Sequence, residues 1–215
     1  CIWQSTLRLD CELNPTFFWS DGKVVAAEDY VYAIKKILAK NSKSLAQSLL
    51  ANLKNSSQVF KNPSLINEIG VSSPKKNHLV FEFSKPDPDF QYKLTSPLLS
   101  PQRPDQEFGK EQTKKIYLST GPYILDRWEA HKRIYLKPNL HYLFKNQEPR
   151  PDVEIFFVDE DNTALQLYEA GTLKWLRRLP TVFFEKYQAS SDFHLIPIAR
   201  FDYVGFGEEL KNQPR

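Results

Sequence analysis

FFWSDGKVVAAEDYVYAIKKIL, residues 17–38, sets an aromatic-rich turn, Trp19-Ser20-Asp21-Gly22, directly against an amphipathic stretch. From about Ala27, the residues Tyr30, Val31, Ala33, Ile34, Ile37 and Leu38 recur at helical spacing, with Lys35, Lys36 and Lys40 on the other face. That pattern predicts a helix with one buried side. The turn before it reads as a structural corner rather than a ligand contact. Gly22 permits a tight turn, Asp21 can bond the backbone within it, and Trp19 packs under the helix. Tyr32 has two readings: a core tyrosine with one hydrogen bond, or a hydroxyl that reaches a cleft.

On the N-terminal side, Trp3, Ser5, Leu7 and Leu9 alternate with Gln4, Thr6, Arg8 and Asp10. The alternation predicts one strand over Ile2–Leu9. The two cysteines, Cys1 and Cys11, suit an oxidising compartment. A straight strand between them would hold them roughly 25–30 Å apart, and a disulfide needs Cα atoms within about 7 Å. They are therefore expected to be unpaired with each other.

On the C-terminal side, a second helix is predicted over Leu45–Leu53, followed by a polar loop, Lys54–Asn62. Strand pattern begins at Val71, with Leu79, Phe81 and Phe83 on one face, and stops at Lys85-Pro86-Asp87-Pro88. Pro97, Pro101 and Pro104 make the next stretch irregular. A hairpin follows, Tyr123–Trp128 pairing with Arg133–Lys137 across a turn near Glu129–His131. Val153–Val158 reads as a strand. A short helix comes next, capped by Asp161 or Asn162, with Gly171 just past its end. Phe183–Tyr187 is a further short helix, and His194–Ile198 and Phe201–Phe206 read as closing strands. The whole is mixed α/β without an internal repeat.

Composition removes several classes of function. The formal net charge is only +3, from 29 basic and 26 acidic side chains, which is too balanced for a nucleic-acid footprint. The basic runs Lys110–Lys115 and Lys145–Arg150 read as solvated loops. No apolar run of about 18 residues exists to span a membrane. The chain has no Met and shows no signal peptide, as expected of a processed product or a fragment. His78, His131, His141 and His194 are scattered without metal-ligand spacing, and no H-E-x-x-H or G-x-S-x-G occurs. With 7 Gly in 215 residues a phosphate loop is not expected. Asp159, Glu160 and Asp161 precede a helix, where capping and the helix dipole explain them better than a metal. The residues point to no enzyme and no cofactor.

Several blocks, taken in order, resemble one family. Trp19-Ser20-Asp21-Gly22-Lys23 followed by Ala27-Glu28-Asp29-Tyr30-Val31-Tyr32 is similar to W-S-D-G-K-P-V-T-A-E-D-F-V-Y in family 5 of the extracytoplasmic solute-binding proteins. These are the dipeptide- and oligopeptide-binding proteins of ABC importers. Ser119-Thr120-Gly121-Pro122-Tyr123, with the hairpin ending Tyr135-Leu136-Lys137, resembles its G-T-G-P-Y block. Val153–Gly171 resembles the strand and helix ending in A-L-x-x-G, Leu173 and Trp175 its L-D-W, and Tyr203-Val204-Gly205-Phe206 its Y-x-G-F. The chain departs from the pattern at Ala26, where the family has a capping Thr, at Asn139-Leu140-His141-Tyr142-Leu143, where it has N-P-x-Y-W, and at Lys174, where it has an acid. Loss of the Thr cap should cost about 1 kcal/mol, which tertiary packing must offset.

The resemblance implies a partial type II periplasmic-binding-protein fold. Residues 1–118 would form a small subdomain and residues 119–215 a returning part of lobe I, with lobe II absent. It implies capture of peptides in an interlobe cleft for a membrane permease, outside the cytoplasm; a lipid anchor on the full-length protein fits that placement. Cys1 itself runs into a strand rather than a flexible tether, which argues against a lipidated terminus there. Ligand contacts are expected from Phe201, Tyr203 and Gly205, where the ring and hydroxyl of Tyr203 and nearby main-chain groups would meet an extended peptide, and from Tyr32. The alternatives are a sensor of the same fold fused to a DNA-binding domain, or a binding protein for a sugar or a nickel chelate.

Overall fold

The structure, a computed structural model, describes residues 1–39, 45–59, 61–105, 117–144 and 149–197. The chain divides into two compact units, Cys1–Phe157 and Val158–Arg215.

The described residues of the first unit form two antiparallel sheets. The larger has strand order β1-β2-β4-β3, from β1 (Ile2–Ser5), β2 (Arg8–Glu12), β3 (Val71–Lys75) and β4 (His78–Glu82). Its register places Leu9 opposite Phe81 and Cys11 opposite Leu79. Alternation along β2 and β4 turns Leu9, Cys11, Leu79, Phe81 and Phe83 into one core, as expected of a half-buried sheet. Helix α1 (Ala27–Ala39) contributes Ala27, Ile34 and Leu38 to that core, and Leu50, Leu53, Val59, Ile69, Val71 and Leu99 join it. Phe90, on the short helix α4 (Phe90–Lys93), meets Phe81 and Phe83 edge-on at centroid distances of 4.9 and 4.8 Å.

The smaller sheet has order β5-β6-β7. Strands β5 (Tyr123–Glu129) and β6 (Arg133–Pro138) form the expected hairpin, with a bulge between Leu125 and Arg127. His131 turns the chain at φ +59°, and β7 (Val153–Phe156) pairs with β6. In the second unit, α5 (Asp161–Glu169) ends at Gly171, which takes φ +74° past the helix C-terminus. The helix α6 (Phe184–Tyr187) follows a 3-10 turn, Thr181–Phe183.

The N-terminal expectations fail together. Ile2–Leu9 is not one strand: Thr6 and Leu7 turn the chain, and β1 folds back on β2. Ile2 then lies opposite Asp10, which sets Cys1 beside Cys11 with Cα atoms 3.9 Å apart. The two cysteines form a disulfide, because the straight-strand geometry that would separate them does not exist.

Other boundaries shift as well. The helix predicted over Leu45–Leu53 stops at Leu49 (α2, Leu45–Leu49), and Leu53 instead bridges Phe83. The predicted polar loop holds a short helix, α3 (Ser56–Val59), because Val59 is needed by the core. The strand predicted over Val153–Val158 ends at Phe156. Glu160 occupies the cap position of α5, with no side-chain bond to the helix, and Asp161 falls in the first turn. No strand forms over residues 194–197, and Phe201–Phe206 lies outside the described residues.

Candidate functional site

The corner of Trp19–Gly22 is where distant parts of the first unit meet. Trp19 is buried, and its indole Nε1 donates to Asp29 Oδ2 at 2.8 Å. The same carboxylate oxygen accepts from the backbone N–H of Ala26 at 3.0 Å. Thus half of a capping box survives without the Thr: Asp29 still reaches back to satisfy a donor before the helix. Gly22 stands at φ +84°, and a Cβ there would approach the His141 ring to 3.1 Å. The turn therefore excludes a side chain on conformational and steric grounds at once.

Charge closes the corner. Arg103, nearly buried, donates to Asp21 Oδ2 at 2.7 Å and forms a two-pronged pair with Asp105. Its guanidinium stands 5.8 Å from the Trp19 ring. Burial alone would raise the Asp21 carboxyl, but bonds from Arg103 and the Lys23 backbone outweigh it and hold the group below the usual carboxylate range. Asp105 is lowered by its bond from Arg103, and Arg103 is raised, chiefly by Asp105.

Two later blocks lock onto the same turn. Ser20 N–H donates to the Ser119 carbonyl at 2.8 Å, and Ser119 N–H donates to Ser20 Oγ at 3.1 Å. Asn139, 1% exposed, donates from Nδ2 to the Gly121 carbonyl and accepts at Oδ1 from His141 N–H. The segments 19–22, 103–105, 119–122 and 139–141 thus form one junction. The spacing marked the first and third as motifs. Arg103, Asn139 and His141 were missed as partners of the corner, although the buried Asn139 opens the divergent block Asn139–Leu143.

Of the expected ligand contacts, the structure describes Tyr32 alone. It is half-buried on α1, and Lys36 Nζ lies 5.5 Å from its ring centre. Phe201, Tyr203 and Gly205 lie outside the described residues, so the structure does not bring the four together. The histidines stay apart. His78 lies 3.4 Å from Asp10, His141 packs on Gly22, and His131 and His194 are exposed. Among the described residues no group of three or more His, Cys, Asp or Glu is placed to hold a metal ion. No helix of the described residues is long and apolar enough to cross a membrane.

The model of the bacterial extracellular solute-binding proteins, family 5 Middle, matches residues 4–213, and the chain belongs to that family. The chain is 27% identical over 204 residues to the oligopeptide-binding protein OppA of Bacillus subtilis, covering 90% of this chain and 37% of that protein. It is 25% identical over 191 residues to the periplasmic murein peptide-binding protein MppA of Escherichia coli, covering 86% of this chain and 34% of MppA. Its fold matches the solved structure of Burkholderia pseudomallei OppA with a TM-score of 0.76 at 24% identity, over 85% of this chain and 37% of that one. The chain therefore spans a little over a third of the length of these relatives and carries part of a type II periplasmic-binding-protein fold.

Proposed function

We propose that the chain is part of the substrate-binding component of a peptide ABC importer, which captures oligopeptides between two lobes and hands them to a membrane permease. The observation that carries this reading is the family match over residues 4–213, together with relatives named for oligopeptide and murein peptide binding. Residues 1–118 serve as the small subdomain and residues 119–215 as the returning part of lobe I. Tyr203, Phe201 and Gly205, with Tyr32 on α1, supply this chain's share of the cleft. The corner acts as a fixed joint and leaves ligand contact to those residues. Peptide binding then works by shifting an open–closed equilibrium, since only the closed form touches the ligand from both sides.

The Cys1–Cys11 disulfide supports an extracytoplasmic setting, because such bonds persist in oxidising compartments and are rare in the cytosol. It weighs against the sensor alternative, whose DNA-binding domain would work in the cytoplasm. It also commits the Cys1 sulfur, so a lipid carried on that atom does not fit.

Retention of a mixed pool of di- to pentapeptides by the full-length protein, read by native mass spectrometry, tests the reading. Peptide adducts are expected, with the Tyr203→Ala variant losing affinity at least tenfold, roughly the 1.4 kcal/mol or more of a useful interface contact. A protein that retains sugars or metal chelates and no peptide contradicts it.

A further inference from the structure

Asp21-Gly22 is the one Asp-Gly pair in the sequence, and no Asn-Gly occurs. An aspartate before glycine is the peptide unit most open to backbone isomerisation, because no Cβ hinders the following nitrogen. That nitrogen attacks the aspartyl Cγ. The amide hydrogen and the carboxyl OH leave together as water, and a five-membered succinimide closes. Water then opens the ring at either carbonyl, restoring aspartate or giving isoaspartate.

The reaction needs a mobile carboxyl, a protonated carboxyl and a free glycine N–H, and the corner withholds each. Arg103 Nη1 donates to Asp21 Oδ2 at 2.7 Å, and the Lys23 N–H donates to Asp21 Oδ1 at 3.2 Å, so both oxygens are tied. Arg103 is itself held by its two-pronged pair with Asp105. Burial would raise the Asp21 carboxyl, but the bonds from Arg103 and the Lys23 backbone outweigh it and favour the carboxylate. A carboxylate is a poor target for a nucleophile. The Gly22 N–H is occupied as well, donating to the Trp19 carbonyl at 2.9 Å. All of these restraints are bonds within residues 19–105 and stay in place whatever else packs against the chain.

We infer that Asp21-Gly22 is a latent isomerisation site and that Arg103 is the positioning residue that holds it off. Isoaspartate there would route the main chain through Cβ and Cγ and leave the α-carboxylate as a short side group. The Arg103 contact that closes the corner would be lost with it. A bond of this charged kind corresponds to roughly a ten- to hundredfold restraint on the carboxyl.

Incubation of the full-length protein at mildly acidic pH, with peptide mapping for isoaspartate at Asp21, provides the test. Folded wild type is expected to isomerise at least about tenfold more slowly than the same protein unfolded in urea. Arg103→Met should raise the folded-state rate roughly ten- to hundredfold, and Arg103→Lys should restore part of the protection. Deamidation at Asn55-Ser56, where Asn55 Nδ2 donates to the Glu68 carbonyl at 2.8 Å, reports loss of the fold in the same map and should not change. If Arg103→Met fails to fold, Asp105→Asn carries the test, since it loosens Arg103 without touching Asp21 and should give a smaller rise. Equal rates in folded and unfolded wild type overturn the inference. So does an unchanged rate in the variant that folds, or a rise there that Asn55 matches.

Discussion

Single residues at the corner show how several weak preferences combine into one fixed joint. Gly22 faces two penalties, a positive φ and the His141 ring. Gly22→Ala should therefore cost about 1–3 kcal/mol. In the His141→Ala background only the steric part should return, so a double-mutant cycle on urea midpoints should show coupling. Arg103→Met leaves Asp21 without its guanidinium and should lower stability by about 1–3 kcal/mol. The acid limb has a definite sign. Asp21 and Asp105 are depressed in the folded state, so their contribution is present above the unfolded carboxyl pKa near 4 and disappears as pH falls through the folded values. Asp21→Asn should flatten the acid side of the stability–pH curve. An unchanged slope would mean that Arg103 contributes no net electrostatic stability.

Among the elements, the hairpin β1–β2 is the one the amino-acid pattern concealed. Alternation from Trp3 to Leu9 is continuous, and Thr6-Leu7 contains neither the Gly nor the Asn that usually marks a tight turn. Period-two alternation persists across such a turn, so periodicity alone cannot see the reversal. The disulfide that depends on the reversal was hidden with it. By contrast, β5–β6 was legible because two apolar-rich arms, Tyr123–Trp128 and Arg133–Lys137, flank a short turn near Glu129–His131. Helix α1 was legible from its 3.6-residue stripe. The bond from Trp19 to Asp29 was not, because it joins side chains ten residues apart that no local pattern links. Replacing Cys1 and Cys11 by Ser should cost about 2–3 kcal/mol, the range for a short closed loop. A scan in reductant should reproduce the shift, and identical melting with and without reductant would contradict the pairing.

At the scale of the whole molecule, the ordered blocks were enough to define the family, and two of them, 19–22 and 119–122, meet at the junction in the first unit. The ligand side was far less legible. Tyr32 alone of its expected members is described, and this chain spans about 37% of OppA from Bacillus subtilis. The proposed function requires peptide to be held between this part of the protein and a second lobe. Calorimetric titration of the full-length protein and of this 215-residue chain with the same di- to pentapeptide pool tests it most directly. Micromolar or tighter binding is expected of the full-length protein, and no measurable heat from the chain alone. Peptide binding by the isolated chain at full strength, or by neither, would contradict it.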